Sequence, residues 1–277
     1  MKTLCAFSAL AVAGSAMGQL DGQNIGAGLP LLSVQDTATQ FGNSSGADQG
    51  SPFGSELNSL YGTISGGTLS FSIAGNLEAN FNKVFVFIDG VAGGENTLLG
   101  DNVDGGFDEI NNLGYTFDAG FEPDHGFRME VGDGFFGVNS FDLIDNTGST
   151  VVSGGGPGDL PLTDGTDGVT TVGWDNANPF GVTDTDASGA LTGTTGWEFE
   201  VDLLSFLGEV PSEVRIMAVL TNADGGFTSN QVLPGVGGAG NLGGGVDFSA
   251  IAGEQFATIV PAPASAALLG LGGLAAA

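Results

Sequence analysis

Basic side chains are almost missing from this chain. Four lysines and arginines stand against 32 aspartates and glutamates, a formal charge of -28 over 277 residues. Nucleic acid is excluded as a natural partner, because neutralising phosphates takes clustered Lys and Arg. Anionic headgroups and sulfated polymers are disfavoured for the same reason, while cations and neutral ligands are favoured. Such acidity suits a salty medium, where screening relieves self-repulsion. Cysteine occurs once, at Cys5, and histidine once, at His125. These counts exclude zinc sites built from Cys and His, thiol nucleophiles and two-histidine iron sites. A Ser-His-Asp triad would have to use His125, which stands beside Asp124 in an acidic loop and reads as a surface or hydrogen-bonded residue. No segment keeps a 3.6-residue apolar period, so helix content should be low.

Glycine is abundant, at 51 residues, and the apolar fraction of 41 % is enough to bury a core. With both ends set aside, about 240 residues remain, enough for one large β domain. Leu60–Ser65 and Thr68–Ala74 flank Gly66-Gly67, a tight-hairpin signal. Lys83–Asp89 is apolar on both faces and reads as a central strand. Phe127–Val131 and Phe135–Ile144 are strand candidates. Trp197, Phe199, Val201 and Leu203 alternate with Glu198, Glu200 and Asp202, which puts Trp197 in the core. Leu204–Leu207 reads as a single helical turn closed by Gly208. Val214–Thr221 and Gln255–Val260 complete the strands. Residues 19–59 read as a loop-rich lead-in with room for one strand. Residues 90–124 read as a loop anchored by Phe107, Phe117 and Phe121, and 145–195 as a polar, Gly-rich insertion. Short strands with long Gly/Asp/Asn-rich loops predict an all-β fold, an antiparallel β-sandwich.

The two ends say where the protein goes. Lys2 precedes an apolar run from Leu4 to Ala16, and Ala16 and Gly18 are small. This predicts a signal peptide over 1–18, cut between Gly18 and Gln19. Cleavage would remove Cys5 and Lys2, leaving no disulfide and only Lys83, Arg128 and Arg215 as basic residues. Val260-Pro261-Ala262-Pro263 breaks the last strand and leads into Ala266, Ala267, Leu268, Leu269, Leu271 and Leu274. This end resembles the PEP-CTERM sorting signal of bacterial exported proteins, with its Val-Pro-Glu-Pro-like start and apolar helix. Ala262 takes the place of the namesake glutamate, and the residues up to Ala277 hold no arginine cluster. About 14 apolar residues fall short of the ~20 that span a bilayer. The resemblance implies export to the bacterial cell surface, handling by C-terminal sorting machinery, and transient membrane association through 260–277. Both ends are expected to be short apolar helices, flanking a β domain over 60–259.

The body carries a second resemblance. Gly196-Trp197-Glu198-Phe199-Glu200-Val201-Asp202-Leu203-Leu204-Ser205-Phe206-Leu207-Gly208 resembles the late strand and turn of DOMON-like and family-9-type carbohydrate-binding sandwiches, with Leu203-Leu204 replacing an Ile-Pro pair. Val84–Asp89 is similar to an earlier strand of the same domains. The resemblance implies a jelly-roll or DOMON-like sandwich. It does not imply a ligand, because such domains serve sugars, haem and structure alike.

Several patterns could carry chemistry. Asp184-x-Asp186-x-Ser188-Gly189 follows the start of an EF-type calcium loop, with oxygen ligands at alternate positions, but Thr195 stands where the bidentate Glu belongs. Asp101 and Asp104, with Asn102, Asp108 and Glu109, form a second oxygen-rich cluster without standard spacing. Trp174, in Gly173-Trp174-Asp175-Asn176, is the candidate stacking platform for a sugar. Gly238-x-Gly240-x-x-Gly243 fits a dinucleotide fingerprint, but no helix pattern or lysine follows it. The expectation is a non-enzymatic, exported protein of the cell surface or extracellular matrix. The alternative is a module binding neutral glycans of an extracellular polysaccharide. A hydrolase using a carboxylate pair is a weaker third.

The acidity generates a test. Cations that bind folded loops but not the unfolded chain raise stability by mass action. Millimolar Ca2+ should therefore raise the melting temperature more than NaCl of matched ionic strength. The double change Asp184→Asn with Asp186→Asn should remove the difference. Equal shifts from both salts would reduce the effect to screening.

Overall fold

Two adjacent glycines turn the chain between its first long strands. Gly66 and Gly67 both have positive φ, 61° and 88°, the geometry a two-residue hairpin needs to match the twist of its strands. Ser65 and Thr68 close the turn in register, as the sequence predicts. The computed structural model describes residues 18–41, 54–102, 109–132, 134–145, 149–177, 180–238 and 240–261. The apolar segments expected at 1–17 and 262–277 lie outside the described residues.

Strands β1 (Leu31–Val34), β2 (Glu56–Ser65), β3 (Thr68–Asn76), β8 (Leu162–Thr166), β9 (Thr170–Trp174) and β10 (Gly196–Asp202) form one sheet, in the order β1-β2-β3-β10-β9-β8. The second sheet runs β12-β11-β4-β5-β6-β7, from β4 (Lys83–Asp89), β5 (His125–Gly132), β6 (Phe135–Asp142), β7 (Thr150–Gly155), β11 (Val214–Thr221) and β12 (Thr228–Leu233). Strand β13 (Ala257–Ile259) adds to β11. All these strand pairings are antiparallel.

Alternation builds a core shared by the two sheets. Trp197, Phe199 and Val201 of β10 belong to one buried cluster with Val84, Val86 and Ile88 of β4 and with Phe127 and Met129 of β5. Phe199 stacks on Phe71 at 4.6 Å and meets Phe127 at 4.9 Å, so aromatic rings join the sheets at the centre. Strand β4 is central and buried on both faces, as its apolar run predicts. Its other face carries Phe85 and Phe87, which enter a second cluster. That cluster is closed by segments that are not strands: Ile110, Tyr115, Phe117 and Phe121 from one side, Phe248 and Phe256 from the other. The region expected as a loop is thus a cover layer over the second sheet. Phe117 and Phe121 anchor it; Phe107 lies outside the described residues.

Helix α1 (Leu203–Leu207), the one α-helix among the described residues, sits where the sequence places a helical turn. Asp202 caps it by accepting the Ser205 N–H at 3.0 Å, and Gly208 ends it at φ 80°. Two expectations need correction. The polar insertion at 145–195 contains β7, β8 and β9, whose apolar positions are thinned by Thr and Gly. Strand β12 has no apolar sequence pattern over its first four residues, because Thr228-Ser229-Asn230-Gln231 is polar and yet buried. The lead-in explains it. Gln35 donates to Val232 O at 3.3 Å, Thr37 to Asn230 O at 3.1 Å, and Asn230 donates to Ala38 O at 2.8 Å. Lead-in side chains and carbonyls satisfy the polar groups there, while Val232 and Leu233 at the strand's end enter the two cores. The lead-in also extends the first sheet, through β1 and the first residues of β2.

If the cover layer belongs to the cooperative core, Phe87→Ala should cost about 3–5 kcal/mol in denaturant unfolding, as much as Phe199→Ala between the sheets. A loss below ~1 kcal/mol for Phe87→Ala would make the cover a loosely held loop.

Candidate functional site

The expected site residues are scattered. Asp186 caps its own turn: its carboxylate accepts from Ser188 Oγ at 2.7 Å and Ser188 N–H at 2.8 Å. These bonds hold its pKa below the usual aspartate value of 3.8. Asp184 lends its carbonyl to Gln40 Nε2 at 3.1 Å. Asp101 is exposed, and Asp104 lies outside the described residues. Among the described residues, no group of three or more His, Cys, Asp or Glu side chains is placed to hold a metal ion. Gly18 and Gln19 are exposed, as is Val260, and Pro261 forms a bridge to Ile64. Ala262 and Pro263 lie outside the described residues.

Trp174 requires a correction. It is 0 % exposed, at the end of β9, and not in a polar loop. Phe136 meets it edge-on at 5.5 Å, and Trp197 lies opposite it in register, also at 5.5 Å. No face of the indole is open to a sugar. The flanking Gly173 and Asp175-Asn176 give the sequence its loop-like look. Gly173 serves close packing instead, since a Cβ there would lie 2.3 Å from the Leu20 backbone.

The most developed site is a cleft at the junction of β5 and β6. Asp124 is fully buried, and its Oδ2 accepts the Gly90 and Val91 N–H groups at 2.7 and 2.6 Å. Its Oδ1 lies 3.0 Å from His125 Nδ1. A carboxylate can only accept, so Nδ1 supplies the proton of this hydrogen bond. Nε2 stands 3.8 Å from Asp142 Oδ2, beyond hydrogen-bond range. Phe206, carried by α1, packs its ring 5.1 Å from the imidazole. The cleft measures about 290 Å³, and Ser140, Asp142, Thr150, Asp167 and Ser205 complete its wall with His125 and Phe206. It offers carboxylate and hydroxyl oxygens, one imidazole and the aromatic residues Phe141 and Phe206. The hydrogen bond expected of His125 is present. The partners across the cleft were hidden, because strand pairing and the α1 turn bring them together over gaps of 15 to 81 residues.

A second cluster is structural. Lys83 and Glu130 face each other in register on β4 and β5, 3.1 Å apart. Arg128 meets Glu130 at 2.8 Å and Asn139 at 3.2 Å. Glu109, from the cover layer, reaches Lys83 at 3.3 Å and Arg128 at 3.0 Å. Arg215 pairs with Asp89 at 3.1 Å and with Glu213. Every lysine and arginine among the described residues therefore faces a carboxylate.

Among the described residues, Asp89, Asp118 and Glu198 have raised pKa values, in each case chiefly through burial. Glu198 accepts the Asp21 and Gly22 N–H groups at 3.0 and 2.9 Å, which partly offsets the burial. The folded state thus holds a proton on Glu198 more readily than the unfolded chain. That contribution to stability is present below the ordinary value of 4.5 and is lost as pH rises through the raised one. Glu198→Gln keeps an acceptor oxygen and cannot ionise. Its melting temperature should fall less than that of the wild type as pH rises from 4.5 to neutral. Parallel curves would show that this ionisation is not linked to folding.

No family model, curated protein or solved structure matches the chain.

Proposed function

We propose that this chain is an exported, non-enzymatic protein of the bacterial surface or extracellular matrix, built on a jelly-roll or DOMON-like sandwich and processed through its C-terminal sorting signal. The observation that supports this reading is the fate of its cations. Lys83, Arg128 and Arg215 are each held against carboxylates, so the body presents acidic and neutral polar groups to its surroundings. A surface of that kind keeps a protein dissolved and apart from anionic neighbours. N-terminal sequencing of protein recovered outside the cytoplasm should give Gln19 as the first residue. Intact Met1 on that material would refute the export reading.

A second reading has support from the cleft. Carboxylates and hydroxyls beside an aromatic ring suit a neutral, polyhydroxylated ligand, and the His125–Phe206 cleft takes over the role expected of Trp174. A neutral glycan that binds on an array should lose about 10-fold in affinity, ~1.4 kcal/mol, in Phe206→Ala or His125→Gln. Binding unchanged in both variants would remove the cleft from the glycan reading.

A further inference from the structure

The chain leaves its body at a defined place. Strand β13 pairs with the start of β11, Ile259 opposite Val214, and Pro261 then bridges to Ile64 near the end of β2. Only Ala262 and Pro263 separate Pro261 from the apolar segment that begins at Ala264. Two extended residues reach no more than about 7 Å. Residues 262–277 contain no charged side chain. Whatever apolar medium takes up that segment must therefore lie close against this end of the body.

The rim of that end carries large apolar side chains. Val260 and Leu204 are each 61 % exposed, and Val210 is 50 % exposed. All three adjoin one hairpin tip. Leu203 donates its N–H to Gly67 O at 3.0 Å, Val210 Cγ2 lies 3.6 Å from where a Gly67 Cβ would stand, and Ile64 holds Pro261. In α1, Leu203 and Leu207 turn inward, while Leu204 stays out. Exposed apolar residues scattered singly need no explanation. Three around the exit of an apolar segment do. The charged groups nearby are acidic: Asp202 and Glu209 are exposed, and Glu213 is already engaged by Arg215.

We propose that this end, bearing Leu204, Val210 and Val260, is a docking face for a zwitterionic lipid surface, and that it lies against that surface when residues 264–277 are inserted. The inference rests on the sorting reading above and adds to it which face of the body meets the membrane. An anionic surface is disfavoured, because the rim has no unpaired cation to offer among the described residues.

The test uses the mature chain from Gln19 to Ala277, which holds no cysteine, with one new cysteine carrying an environment-sensitive fluorophore: Leu204→Cys, Val210→Cys, or Phe180→Cys as control. Phe180 is also 61 % exposed, but it precedes Val182, which is tied to Asn58 at the far end of β2. Phosphatidylcholine vesicles should float the protein and shift the emission to the blue at 204 and 210 but not at 180. Leu204→Ser with Val210→Ser should reduce flotation several-fold, and phosphatidylserine in the vesicles should weaken it. A chain that does not float overturns both the sorting reading and this inference. A chain that floats with equal signals at all three positions, or silence at 204 and 210, overturns the inference alone. A blue emission at 204 and 210 before vesicles are added, unchanged by them, would show the rim covered by the chain's own tail or by a second copy, and would equally overturn it.

Discussion

The pairing of Lys83 and Arg128 with Glu109 and Glu130 ties the molecule together. The second sheet is apolar on both faces at its centre, so it needs a cover as well as a partner sheet. That cover has little regular structure of its own to fix its position. Glu109 supplies the fix. It reaches from the cover to two cations on neighbouring strands, while Glu130 binds the same two cations from within the sheet. Two cations and two carboxylates, each bridging the other pair, cancel locally where a lone charge would be prohibitive. Desolvation offsets much of the attraction, so the network adds little net stability over an apolar patch of the same shape. Losing one member is another matter. It leaves a buried charge uncompensated and costs about 3–5 kcal/mol. The network thus penalises misplacement of the cover more than it rewards folding.

This arrangement also explains what the acidic composition does to the fold. With 32 carboxylates, pairing cannot neutralise the chain. Its few cations are used where carboxylates meet the second sheet, and the remaining acids must sit in water or accept backbone N–H bonds. Asp124 and Glu198 take the second course, each collecting two N–H groups on one oxygen. In both cases the bonds join distant segments: Asp124 holds the end of β4 to the start of β5, and Glu198 holds Asp21-Gly22 to β10. Buried acids here act as staples in a chain whose only cysteine, Cys5, lies outside the described body.

Where one residue type decides a local outcome, the sequence was readable. Gly66-Gly67 could only be a tight turn, Val84–Ile88 had no polar face to expose, and Trp197–Leu203 alternates strictly. Elements that depend on distant partners were not readable. Strand β12 is polar because Gln35 and Thr37 satisfy it from almost 200 positions away. Trp174 looks like a loop residue until Trp197 is set opposite it. The cleft was legible only in its Asp124-His125 pair, since Asp142, Asp167 and Phe206 reach it through sheet register and the α1 turn, which no local pattern encodes.

The two polar centres lie at opposite ends of the second sheet, and this separates their roles. Lys83 and Asp89 mark the ends of β4. At the Lys83 end the charges are paired and buried, and the cover is pinned. At the Asp89 end lie the His125 cleft, Asp89 with its raised pKa, and the exit of β13. Polar groups of that end line a cleft, where Ser140, Asp142, Asp167 and Ser205 stand with His125. A fold that anchors one end with mutually satisfied charges can leave the other end chemically incomplete. The glycan reading and the lipid-docking proposal both draw on that end, the first on the carboxylates and hydroxyls of the cleft, the second on the exposed Leu204, Val210 and Val260.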